Sequence, residues 1–457
     1  MKAYDLKPTV NNLFDTYKTD VIARNADIFR FTEILDSAED CCSIAIDGNW
    51  GSGKTFFVKQ VKMVLDAHNS FVKQSNEINI DEVINVRNQY YQNNAPTLQP
   101  QVSVYYDAWQ HDNDNDPVLS LVYTIMNSID TDFSFKSADA LKIGASIMEL
   151  FTGQNWPQLI DSLRCPSALD ALKEQQSVED LVNDFLQSLL PERGNRLVIF
   201  VDELDRCKPS YAVRLLERIK HYFSNDNITF VFSINAMELQ HTIRKHYGEE
   251  FDASRYLDRF FDLRISLPRP DLQNFYRSLN FNDSTFTYDM VCAAVIKLYH
   301  FELREIAKFL RLSKIAAFAP THNNCHFPFS NGRGTQFCLL YLVPLIIGLK
   351  VKDIKRYTAF IEGKDCTPLI ELAKSLADFD FAELLNQDET FSPDSKTQTV
   401  VKLEDRLTDV YNALFSTTYT NGNYRTKVGP LSFDNTTKTT LMRTTGLMSQ
   451  FTTLDID

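Results

Sequence analysis

The chain has 457 residues, with 47 Lys and Arg against 60 Asp and Glu, a formal charge of −13 and a pI near 5.2. That balance excludes a uniformly basic nucleic-acid coat, and a hydrophobic fraction of 44% with 23% charged residues excludes wholesale disorder. Glycine is scarce, 14 in the whole chain, so the three at Gly48, Gly51 and Gly53 need a local reason.

The N-terminal stretch is mixed and polar. It holds no apolar segment followed by a small-residue cleavage site, so no secretory signal is expected and the product is expected to be cytoplasmic. Eight scattered cysteines, without a CxxC pair, read as reduced core thiols rather than zinc ligands or a disulfide framework.

Five short runs rich in β-branched and aromatic residues read as buried parallel strands: 43–47, 102–106, 196–201, 228–234 and 263–267. Helical stripes lie between them. Phe57, Val61, Val64 and Leu65 follow the first strand, and Ala212, Leu216, Ile219 and Phe223 follow the third. Strands alternating with helices predict an α/β fold with a parallel sheet covered on both faces.

Two insertions interrupt this alternation. Residues 68–100 are Asn/Gln-rich and suggest a partly mobile polar excursion; residues 111–195 suggest a helical insertion, with a stripe at Val178, Leu181, Val182, Phe185 and Leu189. The acidic run 112–116 lacks the spacing, glycine and terminal Glu of a calcium loop. On this reading residues 1–270 form the α/β domain. Apolar stripes at 289–312, 334–350, 367–379 and 400–415 make 271–416 a mostly helical second domain. Residues 417–457 are a Thr-rich tail, extended or weakly structured, read either as a flexible end or as an oligomerisation strand. The apolar run 337–349 would reach roughly 20 Å as a helix, short of a hydrocarbon core of about 30 Å, so no integral membrane span is expected.

The segment Gly48-Asn49-Trp50-Gly51-Ser52-Gly53-Lys54-Thr55 matches GxxxxGK[ST] between a strand and an amphipathic helix. Glycines let the backbone turn its N–H groups toward phosphate oxygens, and the helix adds its positive end. These eight residues and Phe56 are the expected nucleotide-binding loop of a P-loop NTPase. Lys54 is assigned to the β- and γ-phosphates and the Thr55 hydroxyl to Mg²⁺. The third strand ends in Asp202-Glu203. The expectation is a Walker B pair, with Asp202 holding Mg²⁺ and Glu203 polarising the attacking water. Asn235, at the end of the fourth strand, reads either as a γ-phosphate sensor or as an N-cap before Ala-Met-Glu.

Four stretches together resemble the KAP family of P-loop NTPases over about residues 17–312: GNWGSGKT at 48–55, YYDAWQ at 105–110, DELDRC at 202–207 and RYLDRFFDLRISLP at 255–268. The resemblance implies a catalytic-glutamate core with an additional strand between the P-loop and Walker B strands, ATP hydrolysis and helical insertions around the second strand. It also implies a place for Asp107 in the fold, with Trp109 packing beneath the nucleotide. Many members carry transmembrane helices in that insertion, and this chain does not; Glu203 stands where the second Asp of the pair is usual. The resemblance does not decide among Arg206, Arg255, Arg259 and Arg304. Arg255 or Arg259, lying before the fifth strand, is favoured as a finger reaching a neighbouring subunit, the alternative being structural pairing with Asp258 and Asp262. Arg304 resembles a second sensor or else lies on a solvated helix face.

The function that follows is an Mg²⁺-dependent ATPase, a homo-oligomer controlling its assembly or a partner effector protein; the family's phage-exclusion members suggest antiviral defence. Two alternatives stay open: an ATP-loaded scaffold with little turnover, and a nucleic-acid-stimulated motor served by a local Lys/Arg patch near 206–220. No nucleophile elbow or HExxH provides a second chemistry, and the lack of an NKxD string favours ATP over GTP.

Overall fold

A computed structural model of the chain describes residues 7–38, 40–73, 79–114, 116–132, 184–185, 190, 194–222, 226–279, 281, 287–322, 332–376, 402–416, 426–434 and 436–446. They divide into two compact units, one ending at Asn274 and the other beginning at Phe275.

The first unit is built on a five-stranded parallel sheet. Its strands are β1 (Cys42–Asp47), β2 (Gln101–Asp107), β3 (Arg196–Asp202), β4 (Ile228–Ile234) and β5 (Leu263–Ser266), in the order β2-β3-β4-β1-β5. β4 therefore lies between the P-loop strand β1 and the Walker B strand β3, as the family resemblance implied. Every residue of β3 and β4 is buried, because helices cover both faces. Side chains alternate accordingly. Leu197, Ile199 and Val201 enter one core beside α5 (Pro117–Asp132), α6 (Pro209–Tyr222) and α7 (Ala236–Tyr247). Val198 and Phe200 enter the other, with α2 (Asn25–Asp36) and α3 (Lys54–Ala67).

Register brings the strand ends into line. Asp107 pairs with Asp202 across β2 and β3, Asp202 with Ser233 across β3 and β4, and Asp47 with Ile234 across β1 and β4. The carboxyl edge of an otherwise apolar sheet thus carries acidic side chains at neighbouring positions.

The excursion expected over 68–100 holds a formed helix, α4 (Ile80–Tyr90), capped by Asn79 accepting from the Glu82 N–H. Its buried face consists of Val83 and Arg87, and Arg87 donates to the Pro96 carbonyl at 2.8 Å. A buried face that includes an arginine leaves a weak hydropathy signal. In 111–195 the described residues include α5, whose first turn is held by Asp116 accepting from Val118 N–H; most of the expected stripe lies outside the described residues, but Phe185 is buried.

The second unit contains α9 (Thr287–Leu298), α10 (Leu303–His322), the helix α11 (Arg333–Lys352), α12 (Ile354–Ile361), α13 (Thr367–Ser375) and α14 (Leu403–Phe415); a short helix, α8 (Ala253–Leu257), precedes β5 in the first unit. The expected stripe 289–312 breaks in two near His300, whose φ is 49°. α11 is long and apolar enough to cross a membrane by length and composition, and 72% of its apolar window is buried within the fold. It exceeds the 13-residue run because a π turn at Cys338–Leu342 absorbs the missing N–H and bulky ring of Pro344. At Gly348 a Cβ would run into Val295 Cγ1, so α9 and α11 approach too closely for a side chain.

The extended tail expected over 417–457 is corrected in its described parts. β6 (Thr426–Val428) and β7 (Leu431–Phe433) form an antiparallel hairpin, followed by α15 (Thr437–Gly446). Asp434 accepts from the Thr436 N–H and from the hydroxyls of Thr436 and Thr437, starting the helix. Leu431, Phe433 and Leu441 are buried, so sparse apolar residues anchor a segment whose composition reads as loop. Leu441→Ala is expected to destabilise the protein by about 3 kcal/mol in denaturant unfolding; an unchanged midpoint would show that α15 contributes nothing to packing.

Candidate functional site

The glycine loop after β1 takes the backbone shape its composition predicts. Gly51 and Gly53 have φ of 85° and 93°, a region that penalises side chains, and α3 begins at Lys54. The buried Lys54 ammonium donates to the carbonyls of Gly48 at 2.6 Å and Asn49 at 3.1 Å. Burial lowers its pKa, opposed by Asp205, Asp202, Glu203 and Asp47. Thr55 and Phe56 follow, both half-buried, and the Thr55 hydroxyl makes no hydrogen bond among the described residues. A curled loop of N–H groups at a helix start, with a buried ammonium beneath it, is an anion site.

Asp202 is buried at the end of β3. Its Oδ2 accepts from the Tyr105 hydroxyl at 2.9 Å, and its Oδ1 from the Glu203 N–H at 3.0 Å. Lys59 lies 4.2 Å over the Tyr105 ring. Glu203 then leaves the sheet in the left-handed conformation, φ 61° and ψ 22°, which is uncommon for a residue with a side chain and marks local strain. Its Oε2 meets Arg206 Nε at 2.5 Å. Burial, then the Asp202 charge, push its carboxyl up to about 7, with Arg206 acting in the opposite direction. A carboxyl poised there can take a proton at neutral pH.

Asn235 accepts from the Glu238 N–H through its side chain at 3.4 Å, so it caps α7; this is the N-cap geometry. Asp47, at the end of β1, accepts from the Ala236 N–H at 2.9 Å and from Arg264 at 2.8 Å. One loop and the ends of three strands thereby bring Lys54, Asp202, Glu203 and Asn235 to a single edge.

Other expectations resolve differently. Trp109 is 52% exposed, and the Arg206 guanidinium stands 5.7 Å from its ring. Asp107 shapes the turn after β2 by accepting from the Trp109 and Gln110 N–H groups. Arg255 and Arg259 are exposed on and just after α8 and make no ion pair among the described residues, so neither is tied to Asp258 or Asp262. Arg304 is exposed near the start of α10. The acidic run serves local structure: Asp112 accepts from the Lys208 N–H and Asp114 pairs with His111. Among the described residues no cluster of three or more His, Cys, Asp and Glu could hold a metal.

Sequence reasoning missed three supporting residues. Buried Asp205 accepts from the Trp50 indole at 2.5 Å. Arg24, also buried, donates to the carbonyls of Ser52 at 2.8 Å and Pro268 at 2.7 Å, joining the loop to the exit from β5. Tyr105 had only its place in the YYDAWQ stretch to commend it. A carboxylate in DELDRC was visible in the sequence, but its partner 155 positions away was not.

The donor set suits a nucleoside triphosphate with a hard divalent cation: backbone N–H groups and an ammonium for phosphate, and hydroxyl and carboxylate oxygens for the ion. In the free protein a Glu whose folded pKa exceeds its ordinary value stabilises below about pH 4.5, and that contribution fades as pH rises through about 7. Without nucleotide or metal, Glu203→Gln is therefore expected to melt higher than wild type at pH 8, by roughly 2 kcal/mol, and to converge with it toward pH 5. A pH-independent difference between the two would contradict this.

A stretch of 51 residues is 43% identical to an uncharacterized protein of Methanocaldococcus jannaschii; it makes up 11% of this chain and 26% of that protein, so the chain spans about a quarter of that relative's length. Among solved structures, the Aeropyrum pernix ORC2 protein in ADPNP and ADP complexes is 13% identical, covering 86% of this chain and 94% of that one at a TM-score of 0.30. The C. elegans PCH-2 structure is 10% identical, covering 76% and 73% at a TM-score of 0.22. Neither structural likeness is close enough to bear on this chain. The KAP family P-loop domain, in contrast, matches residues 25–286, more than half of the sequence, and the chain belongs to the KAP family of P-loop NTPases.

Proposed function

We propose that this protein binds ATP with Mg²⁺ and hydrolyses it, using residues 1–270 as the NTPase domain and residues 271–416 as a helical domain that responds to the nucleotide. The observation that carries the reading is Glu203. A strained, half-buried carboxyl beside Asp202, with its pKa near 7, has the position and proton affinity of a general base. Bound Mg²⁺ would supply charge neutralisation at the phosphates.

In this reading residues 48–56 hold the nucleotide. Lys54 gives up the Gly48 and Asn49 carbonyls to bond phosphate oxygens. Thr55 and Asp202 hold the cation; Asp202 is oriented for this by Tyr105 and by the Glu203 N–H. Glu203 accepts a proton from the attacking water. Asn235 keeps its capping bond through oxygen, which leaves its amide NH₂ for the γ-phosphate. Exposed Arg255 or Arg259 serves a neighbouring copy in a homo-oligomer. The product works in the cytoplasm through a partner effector protein, with anti-phage defence as its setting.

Phosphate release with ATP and with GTP, ATP binding, and sizing by light scattering with ATP or ADP test this. Lys54→Ala is expected to lose ATP binding, while Glu203→Gln keeps it and loses about 10²- to 10⁴-fold in turnover. Normal phosphate release by Glu203→Gln removes that residue from the mechanism. Assembly that ignores both nucleotides and Lys54→Ala defeats nucleotide-controlled association, and assembly held by ATP without turnover favours the scaffold. Stimulation of the rate by DNA would favour the motor.

A further inference from the structure

We propose that Arg206 is the positioning residue of Glu203, and that Trp50 and Trp109 clamp Arg206 so that the shape of the phosphate loop sets where that carboxylate points. The proposal rests on the hydrolytic reading and assigns the regulation of the same site.

Four observations converge. Arg206 Nε binds one carboxylate oxygen of Glu203, Oε2, at 2.5 Å. The same guanidinium stands 5.9 Å from the Trp50 ring and 5.7 Å from the Trp109 ring, within range of attraction to both π faces. Each platform is itself fixed: the Trp50 indole donates to buried Asp205, and Asp107 holds the turn that carries Trp109. Finally, Glu203 departs from β3 with a left-handed backbone, and Asp202, Asp205 and Asp107 repel its carboxylate while Arg206 attracts it.

An isolated surface pair three residues apart contributes little. This one is different in construction, because the side chains are only 25% and 19% exposed and the arginine carries two aromatic contacts from separate segments. Trp50 and Trp109 are large apolar side chains left exposed, and the guanidinium they share gives that exposure a reason. Trp50 also sits next to Asn49, whose carbonyl occupies Lys54 in the free loop. Phosphate that draws Lys54 away therefore changes the segment carrying one of the two platforms. Arg206 passes that change to Oε2, leaving Oε1 to face water.

Kinetics on the full chain with Mg-ATP test the assignment. Arg206→Ala is expected to lower kcat about 10- to 100-fold while KM stays within about threefold. In the Glu203→Gln background the same change should lower the residual turnover no further, because a residue acting through Glu203 has nothing left to position. Arg206→Lys restores part of the rate, and Trp109→Leu lowers kcat in the same direction if Arg206→Ala does not fold. An unchanged or raised kcat, a rise in KM alone, or an equal loss in the Glu203→Gln background overturns the proposal.

A readout without turnover separates this idea from the reading beneath it. The chain has three tryptophans, so Trp156→Phe leaves Trp50 and Trp109 as the emitters. Arg206→Ala in that protein is expected to change their emission without nucleotide; unaltered emission overturns the clamp. A changed emission in a protein with no ATP turnover would instead defeat the hydrolytic reading and leave the clamp standing.

Discussion

The site depends on one buried carboxylate, that of Asp205. It receives the Trp50 indole N–H from the phosphate loop, and the backbone carbonyl of the same residue accepts from the Thr242 hydroxyl on α7 at 3.4 Å. Burial raises its pKa, while the Trp50 hydrogen bond and the Lys54 charge favour the charged form. Three segments far apart in sequence thereby meet at one residue. An apolar side chain there would leave the Trp50 indole without its partner and would free the loop from the turn that follows Asp202 and Glu203.

The opposite edge of the sheet explains why this edge can stay polar. Arg196 opens β3 and is itself buried. Its guanidinium reaches Thr229 on β4 and the carbonyls of Ala38 and Asp40 before β1, which fastens three strands where they begin. Along their length β3 and β4 are buried throughout, so the strands are held by apolar packing and need no polar contact at their carboxyl ends for register. Asp47 uses its position there to join the start of α7 to β5. The remaining carboxylates are available for chemistry.

What was legible in the sequence follows from this division. Strands buried on both faces, as β3 and β4 are, read as continuous apolar runs. All five strands lie within a residue or so of where the runs place them, although the edge strand β5 is largely exposed rather than buried. The glycine loop was legible because few other residues tolerate its dihedral angles. α4 was not, since its buried face includes an arginine that donates to a carbonyl, and hydropathy counts that as exposed surface. The hairpin and helix after residue 425 were hidden in the same way by threonine, which caps and pairs as readily as it loops. The arginines show the limit most clearly. Local sequence can rank them by neighbours, but only the fold puts Arg206 between two tryptophans 59 positions apart.

The conformation of Glu203 shows how chemistry and stability are separated in this fold. A left-handed backbone at a residue with a side chain stores on the order of 1 kcal/mol, and the raised carboxyl adds to that burden at neutral pH. Glycine would relieve the backbone strain, so the dihedral angle alone does not call for glutamate. The strain persists because its surroundings over-determine it. Asp202 holds the Glu203 N–H, Arg206 N–H closes on the Glu203 carbonyl at 3.1 Å, and Leu204 is buried directly after it. Behind it stands a strand with all seven residues buried. The core supplies the stability that the strand end gives up, and the only property that selects glutamate over glycine at this position is its carboxylate.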